Sequence, residues 1–307
     1  LRARVLKSDA LLLLAAAVWG LAFVAQRMGM AHVGPFTFNA VRFALGAAVL
    51  LPVMRARRGP KRAPSDPGGG GARTSLYALG LAGPVLFAGA SLQQVGIVYT
   101  TAGKAGFITG LYVVMVPMIG LLLRRRPSGG GWAGAGLAAA GLYLLSVTGG
   151  LEVSRGDALV LASALFFAVH VLVIGWLSPR MDAIRLAFLQ FATCSALSFA
   201  FAAGLEPMDP RGIAAAAGPI LYAGVLSVGV AYTLQAVSQR EAPPGHAAVI
   251  LSLEAVFAAA GGGIILGEHL SPRALSGCAL MLAGAVVSKI GATARRTVAD
   301  TPPRPPR

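Results

Sequence analysis

The sequence predicts an all-α polytopic membrane protein, with ten transmembrane helices arranged as two inverted five-helix repeats. Three observations predict it. Of the 307 residues, 56% are hydrophobic and only 12% are charged, about half the charge of a soluble domain. The apolar residues come in long blocks instead of the spaced stripes of amphipathic soluble helices. Short motifs in the first half recur, in order, in the second.

A hydrocarbon core about 30 Å thick needs roughly 20 helical residues. Blocks of that kind run 9–29, 35–54, 74–97, 101–123, 130–148, 157–176, 184–204, 213–238, 246–267 and 273–291. The first block is followed by many more, so it reads as a span and not as a cleaved leader. Pro35, the Pro243-Pro244-Gly245 turn and Ser271-Pro272 are natural helix starts. Loops are short except for 55–73, where Pro and Gly mix with Arg55, Arg57, Arg58, Lys61 and Arg62. That segment reads as a flexible basic linker. Residues 295–307, rich in Arg and Pro, read as a disordered tail able to rest on anionic lipid.

The net charge of +15 does not point to nucleic acid, because the basic residues cluster between apolar blocks. With the N-terminus inside, 20 of the 26 Lys and Arg fall on the inner side and 5 on the outer, with Arg42 inside a span. That asymmetry puts both termini in the cytoplasm. Only 4 of the 26 basic residues are Lys, and Ala, Gly and Arg abound. This composition suggests a GC-rich bacterial genome and hence the bacterial inner membrane. Cys194 and Cys278 both lie in apolar blocks, which argues against a disulfide framework.

The internal repetition is weak at any one place but consistent in order. Asp9-Ala-Leu recurs as Asp157-Ala-Leu, and Arg42-Phe-Ala as Gln190-Phe-Ala, both 148 residues on. Leu92-Gln93 recurs as Leu234-Gln235, and Gly103-Lys104-Ala as Gly245-His246-Ala, both 142 residues on. Gly134 and Gly141 recur as Gly277 and Gly284 at an offset of 143. The halves are therefore 1–150, which includes the linker, and 151–294. Five spans is an odd number, so the second half enters the membrane from the opposite side. Inverted repeats are a transporter architecture with a mid-membrane site between the halves.

Several polar residues sit inside spans. Glu254 lies in a stretch of apolar and small residues and, on a continuous helix, shares a face with Ala247, Ala258 and Gly261. Intramembrane carboxylates usually mark pathways or proton relays; the plainer reading is a carboxylate that only locks two helices. Arg42 lies at a similar depth, so a Glu254–Arg42 ion pair is a candidate. The repeat pairs Gln93 with Gln235, Lys104 with His246 and Tyr112 with Glu254. Gln93 and Lys104 then lie towards the outer face, Gln235 and His246 towards the inner. Lys104 and His246 are candidate gates or pathway ends, or simply helix starts whose side chains reach water. Trp19 offers a stacking face beside Gly20, where a helix or ligand can approach closely; packing is the plainer role. His170, mid-helix, is a cavity candidate or a satisfied core histidine.

Some chemistry is excluded by motif. Gly103-Lys104 lacks the rest of a P-loop, Gly267-Glu268-His269 is not a zinc helix, and Ser276-Gly277 lacks the flanking pattern of a serine nucleophile. No catalytic, metal or cofactor site is expected, which disfavours an intramembrane enzyme.

Taken together, Trp19-Gly20, Arg42-Phe43, the run from Gln93 to Pro117, and Leu253-Glu254 followed by Leu266-Gly267-Glu268-x-Leu270 resemble the EamA-type transporters of the drug/metabolite transporter superfamily. Ala255 stands where that family usually has proline after the ninth-helix glutamate. A glutamine common early in the tenth helix is absent near Ala274. The resemblance implies ten helices in two inverted repeats and a central cavity lined mainly by helices 1, 3, 4, 6, 8 and 9. It implies outward movement of a small metabolite, often an amino acid or related compound, by alternating access. Export of toxic amphiphiles is the alternative. The expected partners are a small-molecule substrate, the lipid bilayer and a coupling proton, with no nucleic acid; nothing in the sequence fixes the oligomeric state.

Overall fold

The computed structural model describes residues 2–57, 70–124, 128–146, 154–266 and 271–299. Among them every regular element is helical. The first elements are α1 (Arg2–Gly29), α2 (Pro35–Arg57), α3 (Ala72–Tyr99), α4 (Ala102–Leu122) and α5 (Gly129–Ser146). Then follow α6 (Arg155–Leu177), α7 (Ala183–Leu205) and α8 (Ala217–Ser238). The unit α9 has two pieces, Pro244–Leu251 and Glu254–Leu266, and α10 is Pro272–Ala299. Eight described segments are long and apolar enough to cross a membrane. Large apolar side chains lie exposed along them, such as Leu161 and Leu165 on α6 and Leu282, Val286 and Ile290 on α10. A soluble protein rarely exposes so much apolar surface; lipid is the solvent that suits it.

The helix ends follow ordinary capping chemistry. Pro35, Pro244 and Pro272 each start a helix, where a missing N–H costs nothing. Ser154 and Asp157 form a capping box at the start of α6, and Asp182 caps α7. Glu206, just past α7, accepts from the backbone of Phe36 and Thr37 and so holds the start of α2. Arg27 donates to the Ile97 and Val98 carbonyls at the end of α3.

Three expectations need correction. The span expected at 213–238 is divided: Pro210–Ala215 is a separate short helix capped by Asp209, and the long segment starts at Ala217. The basic linker is shorter than 55–73, because 55–57 and 70–73 are helical; 58–69 lies outside the described residues. The tail expected to be disordered from 295 stays helical to Ala299; 300–307 lies outside them. The boundary between the halves, near 150, and the run Gly267–Leu270 also lie outside the described residues.

Two helices contain wide π-helical turns, Ala78–Ala82 in α3 and Tyr222–Tyr232 in α8. Pro84 follows the first, and its ring and absent N–H prevent the ordinary bond to Gly80. Wide turns of this kind are frequent near functional sites.

Packing runs mainly between the two halves of the chain. α2 packs on α7 and α8, α3 on α6 and α7, α1 on α8 and α9, α4 on α6, and α5 most extensively on α10. Small residues make that last contact. A Cβ added to Gly277 would lie 2.5 Å from the Gly141 carbonyl oxygen, and one on Gly141 the same distance from the Gly277 oxygen. The two backbones touch, so no side chain fits between them. Gly136, on the same helix α5, has nothing within 4 Å of such a Cβ. Gly277→Ala should therefore destabilise the protein by about 1–3 kcal/mol, while Gly136→Ala should not. Thermal unfolding of the two variants in detergent checks this; equal melting points would show that the α5–α10 contact yields without strain.

Candidate functional site

A cavity lies between the two halves of the chain. Trp19, Gln93, Tyr112, His170, Gln235 and Glu254 all line it, and so does Arg42. These side chains come from α1, α3, α4, α6, α8, α9 and α2. Lys104 and His246 do not line it.

The cavity depends on two helix interruptions. α4 breaks at Leu111, between the pieces Ala102–Gly110 and Tyr112–Leu122. α9 breaks at Ser252 and Leu253, just before Glu254. At each break the backbone tightens to i→i+3 bonds. Leu111 N–H donates to the Ile108 carbonyl at 3.2 Å, and Leu253 N–H to the Ile250 carbonyl at 3.1 Å. Val114 and Val256 repeat the pattern, donating to Leu111 and Leu253. Tyr112 and Glu254 are thus the first residues of the two second pieces. The single continuous face expected for Glu254 with Ala247 is interrupted at this point, although no proline stands at 255.

Glu254 is buried, at 3% exposure. Its carboxylate interacts with the Tyr112 side chain. Neither the Tyr112 hydroxyl nor one Glu254 oxygen completes a hydrogen bond. α1 presses directly on this point. A Cβ on Gly20 would fall 2.5 Å from the Glu254 carbonyl oxygen and 2.8 Å from the Ala258 nitrogen. Glycine is what allows the close approach. Beside it, Trp19 donates its indole N–H to the Ser227 carbonyl at 3.1 Å and packs at a tilt of 57° against Tyr232 with ring centres 4.6 Å apart. Trp19 therefore fastens α1 to the wide turn of α8 while its ring lines the cavity.

The other polar groups have partial partners. Gln93 donates to Thr109 Oγ1 at 3.0 Å, and His170 Nε2 lies 2.8 Å from Gln190 Oε1. The Gln235 side-chain oxygen has no partner. Arg42 Nε donates to Asn39 Oδ1 at 2.9 Å, and the guanidinium lies over the rings of Phe38 and Phe43. The Glu254–Arg42 ion pair is not formed: both groups line the cavity, but Arg42 turns to Asn39 and the two rings instead.

Lys104 and His246 belong to links between helix starts. Lys104 is half-exposed and pairs with Asp157 at 3.8 Å, and Thr100 donates to the same carboxylate. His246 is buried and does not reach water. Its Nε2 lies 3.0 Å from Asp9 and its Nδ1 2.5 Å from Ser288 Oγ, and Lys289 joins Asp9 at 2.8 Å. A carboxylate only accepts, so Nε2 carries the proton in this arrangement.

Sequence reasoning did not single out Tyr232, Gln26 or Asn39. Tyr232 contacts Trp19, Phe43, His170 and Phe191. It precedes Gln235 by three residues on one helical face, a signal that could have found it. Asp9 and Asp157 served only as repeat markers. Both cysteines are free, and among the described residues no three His, Cys, Asp or Glu side chains gather as a metal site would require.

Against known proteins, the profile of the EamA-like transporter family matches residues 6–147 and again 154–289. The chain belongs to the EamA-like transporter family. It is 32% identical to an uncharacterized transporter of Archaeoglobus fulgidus, over 92% of this chain and 85% of that one. It is 26% identical to the uncharacterized transporter YwfM of Bacillus subtilis, over 90% and 91%. A protein crystal structure at 20% identity superposes with a TM-score of 0.72, covering 94% of this chain and 98% of its own. At that identity the likeness speaks for the fold alone. The protein is a multi-pass membrane transporter of the EamA type, within the drug/metabolite transporter superfamily.

In such a transporter Glu254 is a buried carboxyl group without an ion-pair partner among the described residues. Replacing it by a neutral amide of the same shape leaves no charge to desolvate. Glu254→Gln should therefore unfold at the same or a higher temperature than the wild type. A melting point lower by several degrees would mean that the carboxylate is held by contacts that Gln cannot reproduce.

Proposed function

We propose that this EamA-type protein is a secondary transporter that exports a small organic metabolite, an amino acid or related compound, across the bacterial inner membrane. The observation that carries the reading is the central cavity, which gathers polar side chains from both halves at two matched helix breaks. Discontinuous helices around a midplane site are what transporter folds use to bind solutes. No cofactor takes part, and turnover is movement, not chemistry.

The mechanism is alternating access by two inverted five-helix repeats, 1–150 and 151–294. Reciprocal contacts support it. Under the offsets, α3 on α6 is the image of α8 on α1, α4 on α6 of α9 on α1, and α2 on α8 of α7 on α3. The bonds at the two helix breaks also recur at an offset of 142. The excess of inner Lys and Arg supports cytoplasmic termini.

Lys104–Asp157 and His246–Asp9 are images of each other under the repeat, at opposite ends of the pathway. Each ties the start of a broken helix, α4 or α9, to the N-terminal part of the helix it packs on, α6 or α1. In the proposed cycle one link parts as the other holds. Glu254 couples movement to a proton. The aromatic lining of Trp19, Phe23, Phe167 and Tyr232 favours a second reading, export of amphiphilic drugs; competition by lipophilic cations but not by amino acids would select it.

Two experiments test the mechanism. In proteoliposomes, a panel of amino acids, organic acids and amines should drive proton movement for one class of solute, and Glu254→Gln should abolish that flux. Solute movement with no proton flux, unchanged in the variant, would make the protein a facilitator; no movement of any solute would remove the transport reading. For the links, a cysteine at Gln93 in a background lacking Cys194 and Cys278 reports outer access to a membrane-impermeant thiol reagent. Asp157→Asn should speed its labelling from outside, and Asp9→Asn should slow it. Equal rates in all three proteins would reduce both links to helix anchors.

A further inference from the structure

We propose that Arg42 is the anion-binding residue of the central cavity, and that the transported solute bears a single carboxylate group, which docks on its guanidinium. This rests on reading the cavity as the transport site, and it names the chemistry which that site selects. Arg42 lines the cavity at 3% exposure. A guanidinium carries five N–H donors and keeps its charge. In Arg42 one donor, Nε–H, meets Asn39. Among the described residues no Asp or Glu forms an ion pair with it.

Phe38 and Phe43 hold the guanidinium by their ring faces, 5.5 and 5.0 Å from its centre. Ring faces orient the group and use none of its in-plane donors. The site is thus built and oriented but not neutralised. A buried cation in a membrane-spanning helix calls for a counter-charge, and a solute can bring it.

The planar fork matches carboxylate and phosphate geometry equally. Charge balance favours the carboxylate. A phosphate monoester carries about −1.5 to −2 at neutral pH, whereas Arg42 supplies one positive charge. The apolar walls from Phe23, Phe167 and Val171 would take the solute's hydrocarbon part.

The test uses matched solutes that differ only in the charge at one end: phenylalanine, leucine, 3-phenylpropionate and isovalerate, each against its primary amide. In wild-type proteoliposomes the acids should compete for transport at least about tenfold better than the amides, as expected for loss of a charge-assisted pair. Arg42→Gln should erase that difference, and Arg42→Lys should keep part of it. Amides that compete as well as acids, or an Arg42→Gln protein that still prefers acids, would overturn the proposal. Should the variants not fold, phenylglyoxal modification of wild-type Arg42, read by mass spectrometry, decides. Acids but not amides should protect it; an Arg42 that is unreactive, or unprotected by any acid, would also overturn the site. Protection of Arg42 without movement of any solute would keep the anion site and remove the transport reading.

Discussion

Hydrocarbon offers no hydrogen bonds, so a polar group inside a membrane-length helix must find its partner in protein or in water that protein encloses. That constraint organises this molecule. Glu254, Tyr112, Gln93, Gln235, His170 and Arg42 lie on six different helices, yet all open on one cavity. The outer surfaces of five of these helices, α2, α3, α4, α6 and α8, carry exposed Leu, Val or Met. Gathering these groups in one place requires close approach at one point. Gly20 supplies it by letting α1 lie against the backbone at Glu254 and Ala258.

The contacts divide into two kinds, and the division suits a rocking mechanism. α5 and α10 meet backbone to backbone through Gly141 and Gly277, a tight surface with little freedom to slide. Around the cavity there is one such close approach, at Gly20; the other contacts described there run through side chains and wide helical turns. Trp19 reaches a carbonyl inside the π-helical stretch of α8, where the backbone is already unwound from ideal α geometry. In the proposed cycle the first kind of contact keeps the halves together and the second kind rearranges. Asp9 and Asp157 then matter because they close the ends and leave the middle free.

Much of this was legible in the sequence, for a physical reason. Bilayer thickness sets helix length, so apolar block length located the eight described segments long enough to cross; Pro35, the Pro243-Pro244-Gly245 turn and Ser271-Pro272 marked three helix starts to within a residue or two. Depth was legible too, because a helix rises a constant distance per residue. Azimuth was not. Arg42 and Glu254 have similar depth, and only the folded bundle shows Arg42 turned to Asn39, Phe38 and Phe43. Nor could spacing show that Asp9 meets His246, since 237 residues separate them. The tail misled for another reason. Its Arg and Pro content reads as disorder, but the prolines start only at Pro302, and helix α10 runs to Ala299 on residues that favour it.

The break before Glu254 was the least legible feature, and its origin bears on how the site works. A proline break is permanent, because the N–H that would close the helix is absent. Position 255 is alanine, and its N–H is present and donates to the Ser252 carbonyl at 3.2 Å. At the matched break in α4, Leu111 likewise keeps its donor, and Pro117 lies well beyond it. Both interruptions are therefore conformational: i→i+3 bonds stand where i→i+4 bonds could form. Exchanging one for the other breaks no covalent constraint and alters the rise and rotation of the following piece. Glu254 and Tyr112 are the first residues of those pieces, so rewinding either turn would rotate that side chain in the cavity. A helix broken by proline would hold Glu254 at one angle; a helix broken by hydrogen-bond choice leaves the carboxylate free to move in the proposed cycle.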